Sequence, residues 1–374
     1  MDNRLQSIEL RGYKSIADLQ LTLRPINILI GANGSGKSNL ISFFRLLNYL
    51  CTGSLQRFVA LGGGAGDHLH FGPKRTPQLD ATVTFEALKG ANKYHLRLAH
   101  GAGDRLVFLE ESVSYCAKGM SWSTAPVYSL GTGHLESLLP VATHDVTGRS
   151  LPPKTAATVQ RLMRQWQVFQ FHDTSSTAHV KQSGFLEEFQ FLRSDAGNLA
   201  AFLLHMRNSA PQNYARVVQT VQRVLPAFKD FSLEPNTAAK TISLNWHHRS
   251  ADNLFGSHQL SDGSLRFMAL CALLLQPRLP ALILLDEPEL GLHPYAIELL
   301  GGLIQSAASE CQIVFSTQSV ELANQFTAED CIVVDQVNDS STFHRLDSSN
   351  LTKWLERYRI GDIWVKNLIG GTPE

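Results

Sequence analysis

A short apolar strand, a glycine loop closing on lysine–serine, and a helix follow one another between residues 26 and 50. No other stretch constrains the fold so tightly. The loop, Gly31-Ala-Asn-Gly-Ser-Gly-Lys-Ser38, meets the pattern G-x-x-x-x-G-K-[ST] at every fixed position. Ile26 to Ile30 before it reads as a buried strand, and Asn39 to Leu50 after it as an apolar-rich helix. Glycines let backbone N–H groups turn inward around phosphate oxygens, and the new helix adds its positive end. Lys37 has the reach for β- and γ-phosphates, and the Ser38 hydroxyl suits Mg²⁺. A chance glycine-rich turn is the plain alternative, and the flanking strand and helix argue against it.

A second constellation lies near the other end. Ala281-Leu-Ile-Leu-Leu-Asp-Glu-Pro-Glu289 is a wholly apolar strand ending in carboxylates. Such a strand belongs in a parallel sheet covered on both faces, and its carboxyl end is where α/β folds bind ligands. Asp286 suits Mg²⁺, directly or through water. Glu287 is placed to orient and deprotonate an attacking water. A solvated acidic turn is the alternative. Leu260-Ser-Asp-Gly-Ser-Leu-Arg266 precedes the helix that leads into this strand. Ser261 can cap that helix and Gly263 allows close backbone approach, although an ordinary helix cap reads the same way.

Strands are expected at 5–10, 19–23, 79–85, 94–98, 105–110 and 241–246, and helices over 155–168 and 198–224. Gly53 to Pro77 is glycine-rich and reads as a mobile loop region, and 119–158 as polar and turn-rich. From Leu260 onward a helix (263–276), a strand (281–285) and then helix 294–308, strand 312–316, helix 319–325 and strand 331–335 alternate as in an α/β sheet. The chain therefore divides into 1–80, an insertion over 81–254, a second half over 255–345 and a tail over 346–374.

The chain has 374 residues, 44% of them apolar and 18% charged, enough for a large core and too few charges for disorder. Its 33 basic and 33 acidic residues cancel, so global charge gives no support to a strongly basic nucleic-acid protein. Arg161, Arg164, Lys181, Arg193, Arg216 and Arg223 are scattered through the insertion, and a solvated face explains them as well as a DNA-facing one. Five unpatterned cysteines fit a reducing cytosol. Met1 to Leu5 has no signal-peptide core, and no apolar run is long enough to span a bilayer. A cytoplasmic protein is expected. The histidines, His172, His293 and the pair His247-His248 among them, form no metal pattern and read as solvated or capping residues.

The ordered series of glycine loop, L-S-D-G, apolar strand with D-E-P-E, and Gly291-Leu-His-Pro294 resembles the ABC-type ATPase core, in the RecF, SMC and OLD-like branch. Ile8 to Ile16 running into Asn27 to Asn39 is similar to the amino-terminal part of that branch. Phe169 to Ser175 and Gly361 to Gly371 resemble the bacterial AAA-type ATPases grouped with it. The resemblance implies a P-loop NTPase fold with an ABC-type head, a mixed or parallel sheet flanked by helices and interrupted by a long α+β insertion. It implies ATP and Mg²⁺ as ligands, with Asn33, Gly34, Ser35, Gly36, Lys37, Ser38 and Asn39 on the nucleotide, and Ser38 and Asp286 on the metal.

It also implies a homodimer of head-to-tail heads, in which Ser261 and Gly263 of one copy meet the γ-phosphate held by Lys37 of the other. Gln318 stands where many ABC ATPases carry a switch histidine. It is expected to act with Glu287 in hydrolysis, either as a polar sensor or as the cause of a slow, partner-gated turnover. The glutamine that senses Mg²⁺ in such heads has two candidates, Gln56 and Gln78. The implied function is an ATP-driven dimerisation switch that controls DNA engagement or a separate effector such as a nuclease, with anti-phage defence as its setting. A DNA-repair or chromosome-maintenance ATPase that binds DNA itself is the alternative, and a transporter subunit is disfavoured.

Overall fold

The computed structural model describes residues 4–142 and 153–371. Met1 to Asn3, the 143–152 part of the expected turn-rich stretch and residues 372–374 lie outside the described residues. The first unit runs β1 (Arg4–Tyr13), β2 (Ile16–Thr22), β3 (Ile26–Ile30), α1 (Lys37–Cys51), α2 (Leu55–Leu61), α3 (Ala65–His68), β4 (Gln78–Ala87), β5 (Gly90–Gly101), β6 (Arg105–Ala117) and β7 (Val127–Gly131). The middle holds α4 (Pro153–Arg164), β8 (Trp166–Phe169), β9 (Gly184–Phe185), α5 (Leu199–Ser209), α6 (Pro211–Val224), β10 (Phe228–Ser232), β11 (Thr241–Ile242), β12 (Asn245–His248) and β13 (Leu254–Gly256). The last part runs α7 (Asp262–Leu274), β14 (Leu282–Asp286), α8 (Pro294–Ala307), β15 (Gln312–Thr317), α9 (Val320–Ala323), β16 (Cys331–Val337), β17 (Ser340–Arg345), α10 (Ser348–Leu355) and α11 (Ile360–Val365).

Two six-stranded sheets organise these elements. One is antiparallel, in the order β2-β1-β4-β5-β6-β7. The other runs β17-β16-β3-β15-β14-β8, parallel throughout except for the edge pair β16–β17. In β1, buried Ile8 and Leu10 alternate with exposed Glu9 and Arg11, as a half-buried antiparallel strand requires. The parallel strands are apolar on both faces because each face meets its own core. Leu29, Leu282, Leu284, Val314 and Ile332 pack with α1 and the inner face of the antiparallel sheet. Ile28, Ile283, Leu285, Ile313 and Phe315 pack with α5, α7 and α8. The helix α1 thus lies between the sheets, and buried Gln312 ties them at one end, accepting from the Leu5 amide (2.7 Å) and donating to the Leu5 carbonyl (2.9 Å).

The expected α/β head is present, and four local expectations need correction. The strand expected over 241–246 is two, β11 pairing with β9 and β12 lying between β10 and β13 in another sheet. Gly53 to Pro77 is not a structureless loop; α2 and α3 form within it, with buried Leu55, Val59 and Ala65 turned into the core. The helix expected over 155–168 ends at Arg164, because Trp166 to Phe169 pairs with β14 and sheet pairing overrides the local helical period. The helix expected over 198–224 is two helices. Pro211 lacks the N–H a continuous helix would use and instead opens α6. Strand β8, within 81–254, forms an edge of the parallel sheet.

Candidate functional site

The glycine loop leaves β3 at the carboxyl edge of the parallel sheet and enters α1. Gly34 and Gly36 have φ of +80° and +109°, in the left-handed region that favours glycine. The loop is also pressed against the strands behind it: a Cβ on Gly36 would stand 2.0 Å from Ser341 Oγ, and one on Gly31 2.2 Å from the Val334 carbonyl oxygen. Ser341 donates to the Ser35 carbonyl (2.6 Å), and Asn39 donates to Ser15 Oγ (2.7 Å), which in turn bonds Ser341 Oγ. Lys37 is buried, its ammonium donating to the carbonyls of Gly31 (2.7 Å) and Ala32 (2.8 Å). Burial pushes its pKa down, and the nearby carboxylates of Glu287, Asp286 and Glu289 pull the other way. Asn33, Gly34 and Ser38 are exposed at the rim.

The residues fit a bound triphosphate. Ser35 Oγ is buried without a hydrogen-bond partner. The first amides of α1 have no intrahelical acceptor, and the space beside Gly34 is open.

The acidic turn closes on this loop from β14. Ser38 Oγ donates to Asp286 Oδ1 (3.2 Å), and Ser316 Oγ donates to the same oxygen (2.6 Å) while accepting from the Glu287 amide (3.0 Å). One serine on β15 therefore positions both acids. Glu287 has φ +44°, an unusual conformation for a non-glycine residue, and Gln318 donates its side-chain amide to Glu287 Oε1. Glu289 is engaged differently. It is buried, accepting from Thr317 Oγ1 (2.6 Å) and the Gln318 amide (2.9 Å), so it fixes the backbone that carries Gln318. Burial pushes the Glu289 carboxyl pKa up.

Two residues that sequence reasoning did not assign to the site belong to this edge. Gln170 follows β8, next to β14, and its Oε1 accepts from Arg45 of α1. His172 donates from Nε2 to the Asp286 carbonyl (2.8 Å), and its Nδ1 faces the Gln170 amide at 3.4 Å. Gln56 donates to the carbonyls of Leu106 (2.8 Å) and Leu135 (2.7 Å), and Gln78 lies on β4 of the antiparallel sheet, so neither candidate reaches the acids. The available signal was the short stretch Trp166 to Phe169, followed by Gln170.

Ser261 and Gly263 stand at the start of α7. Ser261 is exposed and caps the helix, accepting from the Ser264 amide (3.1 Å). Gly263 packs so closely on the loop after the acids that a Cβ there would lie 2.2 Å from the Gly291 carbonyl oxygen. Arg266 joins this helix to the site. It donates to the carbonyls of Phe171 (2.9 Å), His172 (2.8 Å) and Leu290 (2.7 Å). His293 caps α8 through the Tyr295 amide (3.2 Å), with Pro294 in the first turn.

Of the scattered basic residues, Lys181 pairs with Asp262 (3.2 Å) and Arg193 with Asp195 and Glu188. Among the described residues no group of three His, Cys, Asp or Glu could hold a metal ion, and no helix is long and apolar enough to cross a membrane. All five cysteines are free and buried.

The family described as "AAA domain, putative AbiEii toxin, Type IV TA system" matches residues 135–324, a span holding Gln170, Ser261, Asp286 and Gln318. In fold, the chain is similar to an SMC head bound to the C-winged helix domain of ScpA, with a TM-score of 0.61 at 14% identity, covering 94% of this chain and 99% of that one. It is also similar to an Smc head domain with an extended coiled coil derived from Pyrococcus furiosus, bound to the C-terminal domain of ScpA. There the TM-score is 0.57 at 12% identity, over 95% and 99% of the two chains. Over 79 residues, 21% of this chain, it is 35% identical to proteins of Bacillus thuringiensis and Bacillus anthracis described as ABC transporter ATP-binding proteins. The match spans 14% of the length of those relatives.

Proposed function

The chain belongs to this AAA domain family, and from that premise we propose that it binds ATP with Mg²⁺, hydrolyses it, and uses the cycle to join and release two copies of itself. One observation carries the reading. Lys37, Ser38, Asp286, Glu287 and Gln318 converge on one sheet edge, while Ser261 lies exposed on a separate helix tied to that edge through Arg266. Bound Mg²⁺ would supply neutralisation of the phosphate charge. Lys37 and the amides of the loop bind the triphosphate, with Asn33 to Asn39 around it. Ser38 and Asp286 would hold the metal, and Gln170 takes the place of Gln56 and Gln78 as the candidate glutamine beside it. Glu287 takes the proton of the attacking water, and Gln318 keeps Glu287 oriented.

Ser261 and Gly263 complete the site of a second copy, so the working form is a homodimer with two shared sites. The halves 1–80 and 255–345 make most of the head, and the region 81–254 adds to it strand β8, Gln170 and His172, with 346–374 as a tail. The output is control of a separate effector, such as a nuclease, in the cytoplasm. The toxin–antitoxin description of the matched family supports a defence setting. Ion pairing of Lys181 and Arg193 weakens the case for direct DNA binding, which a salt series on affinity tests.

The deciding variant is Glu287→Gln. It should bind ATP with native affinity, release phosphate roughly 10²–10⁴-fold more slowly, and run as a dimer in ATP and Mg²⁺. A variant that holds ATP yet stays monomeric in sizing experiments overturns the shared-site reading.

A further inference from the structure

The stretch from Gly361 to Gly371 takes no part in that chemistry, yet one end packs on the phosphate loop and the other on the helix after Gln318. At the first of these the chain turns through Gly370 and Gly371, with φ of +80° and +78°, onto the start of the loop. A Cβ on Gly371 would stand 3.3 Å from Gly31 Cα. Two side chains hold Gly371 there. Trp364 of α11 is buried and donates from Nε1 to the Gly371 carbonyl (3.0 Å), and Asp335 of β16 accepts the Gly371 amide at Oδ1 (2.6 Å). At the other end the Gly361 amide donates to Asn324 Oδ1 (2.7 Å), and a Cβ on Gly361 would meet the Val320 carbonyl oxygen of α9 at 2.5 Å.

The bearing on Lys37 comes through Gly31, whose carbonyl is one of the two that hold the Lys37 ammonium (2.7 Å). Gly31 meets β16, where its own Cβ would lie 2.2 Å from the Val334 carbonyl oxygen, and Gly371 closes on it as well. Ser341 and Ser15 steady the later part of the loop, at Ser35 and Asn39. The chain Trp364–Gly371–Asp335 steadies its first residue. A displaced Gly31 would carry the Lys37 acceptor with it, and small misplacements of this kind weaken a binding site. Trp364 also lines an open pocket of about 380 Å³ together with Gly31, Asn33 and Gln318, so it borders the site directly.

We propose that Trp364 is a positioning residue of the nucleotide site, pinning Gly371 against Gly31 and so setting the carbonyl that aims Lys37 at the triphosphate. It acts through the backbone and touches no phosphate. This role rests on the loop being an ATP site. It gives a task to the stretch 361–371, which the phosphate-loop and acidic-turn motifs leave without one.

Calorimetric titration of the full chain with ATP and Mg²⁺ tests it. Trp364→Phe keeps an aromatic ring and removes the N–H donor. It should weaken ATP affinity roughly 3–10-fold, the scale of one lost hydrogen bond, raising KM while kcat stays near native. Trp354→Phe, the same change at an exposed ring, should bind ATP as the native chain does. Because Trp364 works through Lys37, Lys37→Ala with Trp364→Phe should bind no more weakly than Lys37→Ala alone. Native affinity in a folded Trp364→Phe overturns the proposal and leaves the ATP reading standing. So does a loss that adds in full to that of Lys37→Ala, which is what a general loosening of the fold would give. Where Trp364→Phe unfolds, Asp335→Ala releases the Gly371 amide instead and is read the same way. If the native chain takes up no ATP, the ATP reading itself fails and this role falls with it.

Discussion

The side-chain amide of Gln318 donates to the carboxylate of Glu287. The two residues arrive from the ends of neighbouring parallel strands, β15 and β14, in register through the pair Asp286–Ser316. Glutamine holds the acid without adding charge. Gln318→Ala should keep ATP binding and lower turnover about 10–100-fold through misplacement of Glu287. Gln318→His should retain a donor and add to the pH dependence of the rate an imidazole whose ordinary pKa is ~6.5. Phosphate release measured from pH 5.5 to 8.5 checks both.

Lys37 satisfies its ammonium on the Gly31 and Ala32 carbonyls, so it is held on the loop where phosphate oxygens would meet it. Lys37→Ala should weaken ATP affinity by about 10–100-fold, the scale of a lost charge-assisted hydrogen bond. Titration calorimetry with the variant reads this directly. Native affinity would remove Lys37 from the site.

Arg266 bonds three carbonyls, two on the segment after β8 and one on the loop after the acids. Removing it takes the side-chain donor away from all three carbonyls. Arg266→Ala should cost about 2–4 kcal/mol of stability and slow hydrolysis more than it weakens ATP binding. Arg266→Lys should recover only a fraction, because one ammonium cannot span three directions. Denaturant unfolding and a KM-against-kcat comparison separate the two effects.

His68 is buried between Tyr13 (ring centroids 6.0 Å apart) and Phe58 (5.0 Å). Burial, with the Lys14 charge beside it, lowers its pKa from 6.5 to about 4. A depressed folded-state pKa gives stability that is full above the unfolded value and lost as pH falls through the folded one. Thermal or urea unfolding should therefore lose about 3 kcal/mol from this group as pH drops from 7 to below 4. His68→Leu should flatten that acid limb. An unchanged limb would place its origin elsewhere.

The head was readable because its signals are local. A glycine loop between strand and helix, or an apolar strand ending in Asp286 and Glu287, needs no knowledge of distant partners. Gln170 was not readable for the opposite reason. Its position depends on Trp166 to Phe169 pairing with Leu282 to Leu285, more than a hundred residues away. Four residues carry too little periodicity to reveal that pairing, and the preceding helix masks them. The same limit hid α2 and α3, short helices whose glycine-rich flanks read as loop. The break at Pro211 is a different case: the signal was present, and the amphipathic spacing on both sides concealed it.

The edge strand β8 bears on how this molecule can be cut down. It reaches β14 from inside the middle region, so that region is woven into the catalytic scaffold. A minimal head made by splicing residue 80 to residue 255 would strip the acid-bearing strand of one of its two neighbours and leave raw backbone that invites aggregation. Any trimmed version meant to stay soluble has to carry Trp166 to Phe169 with it.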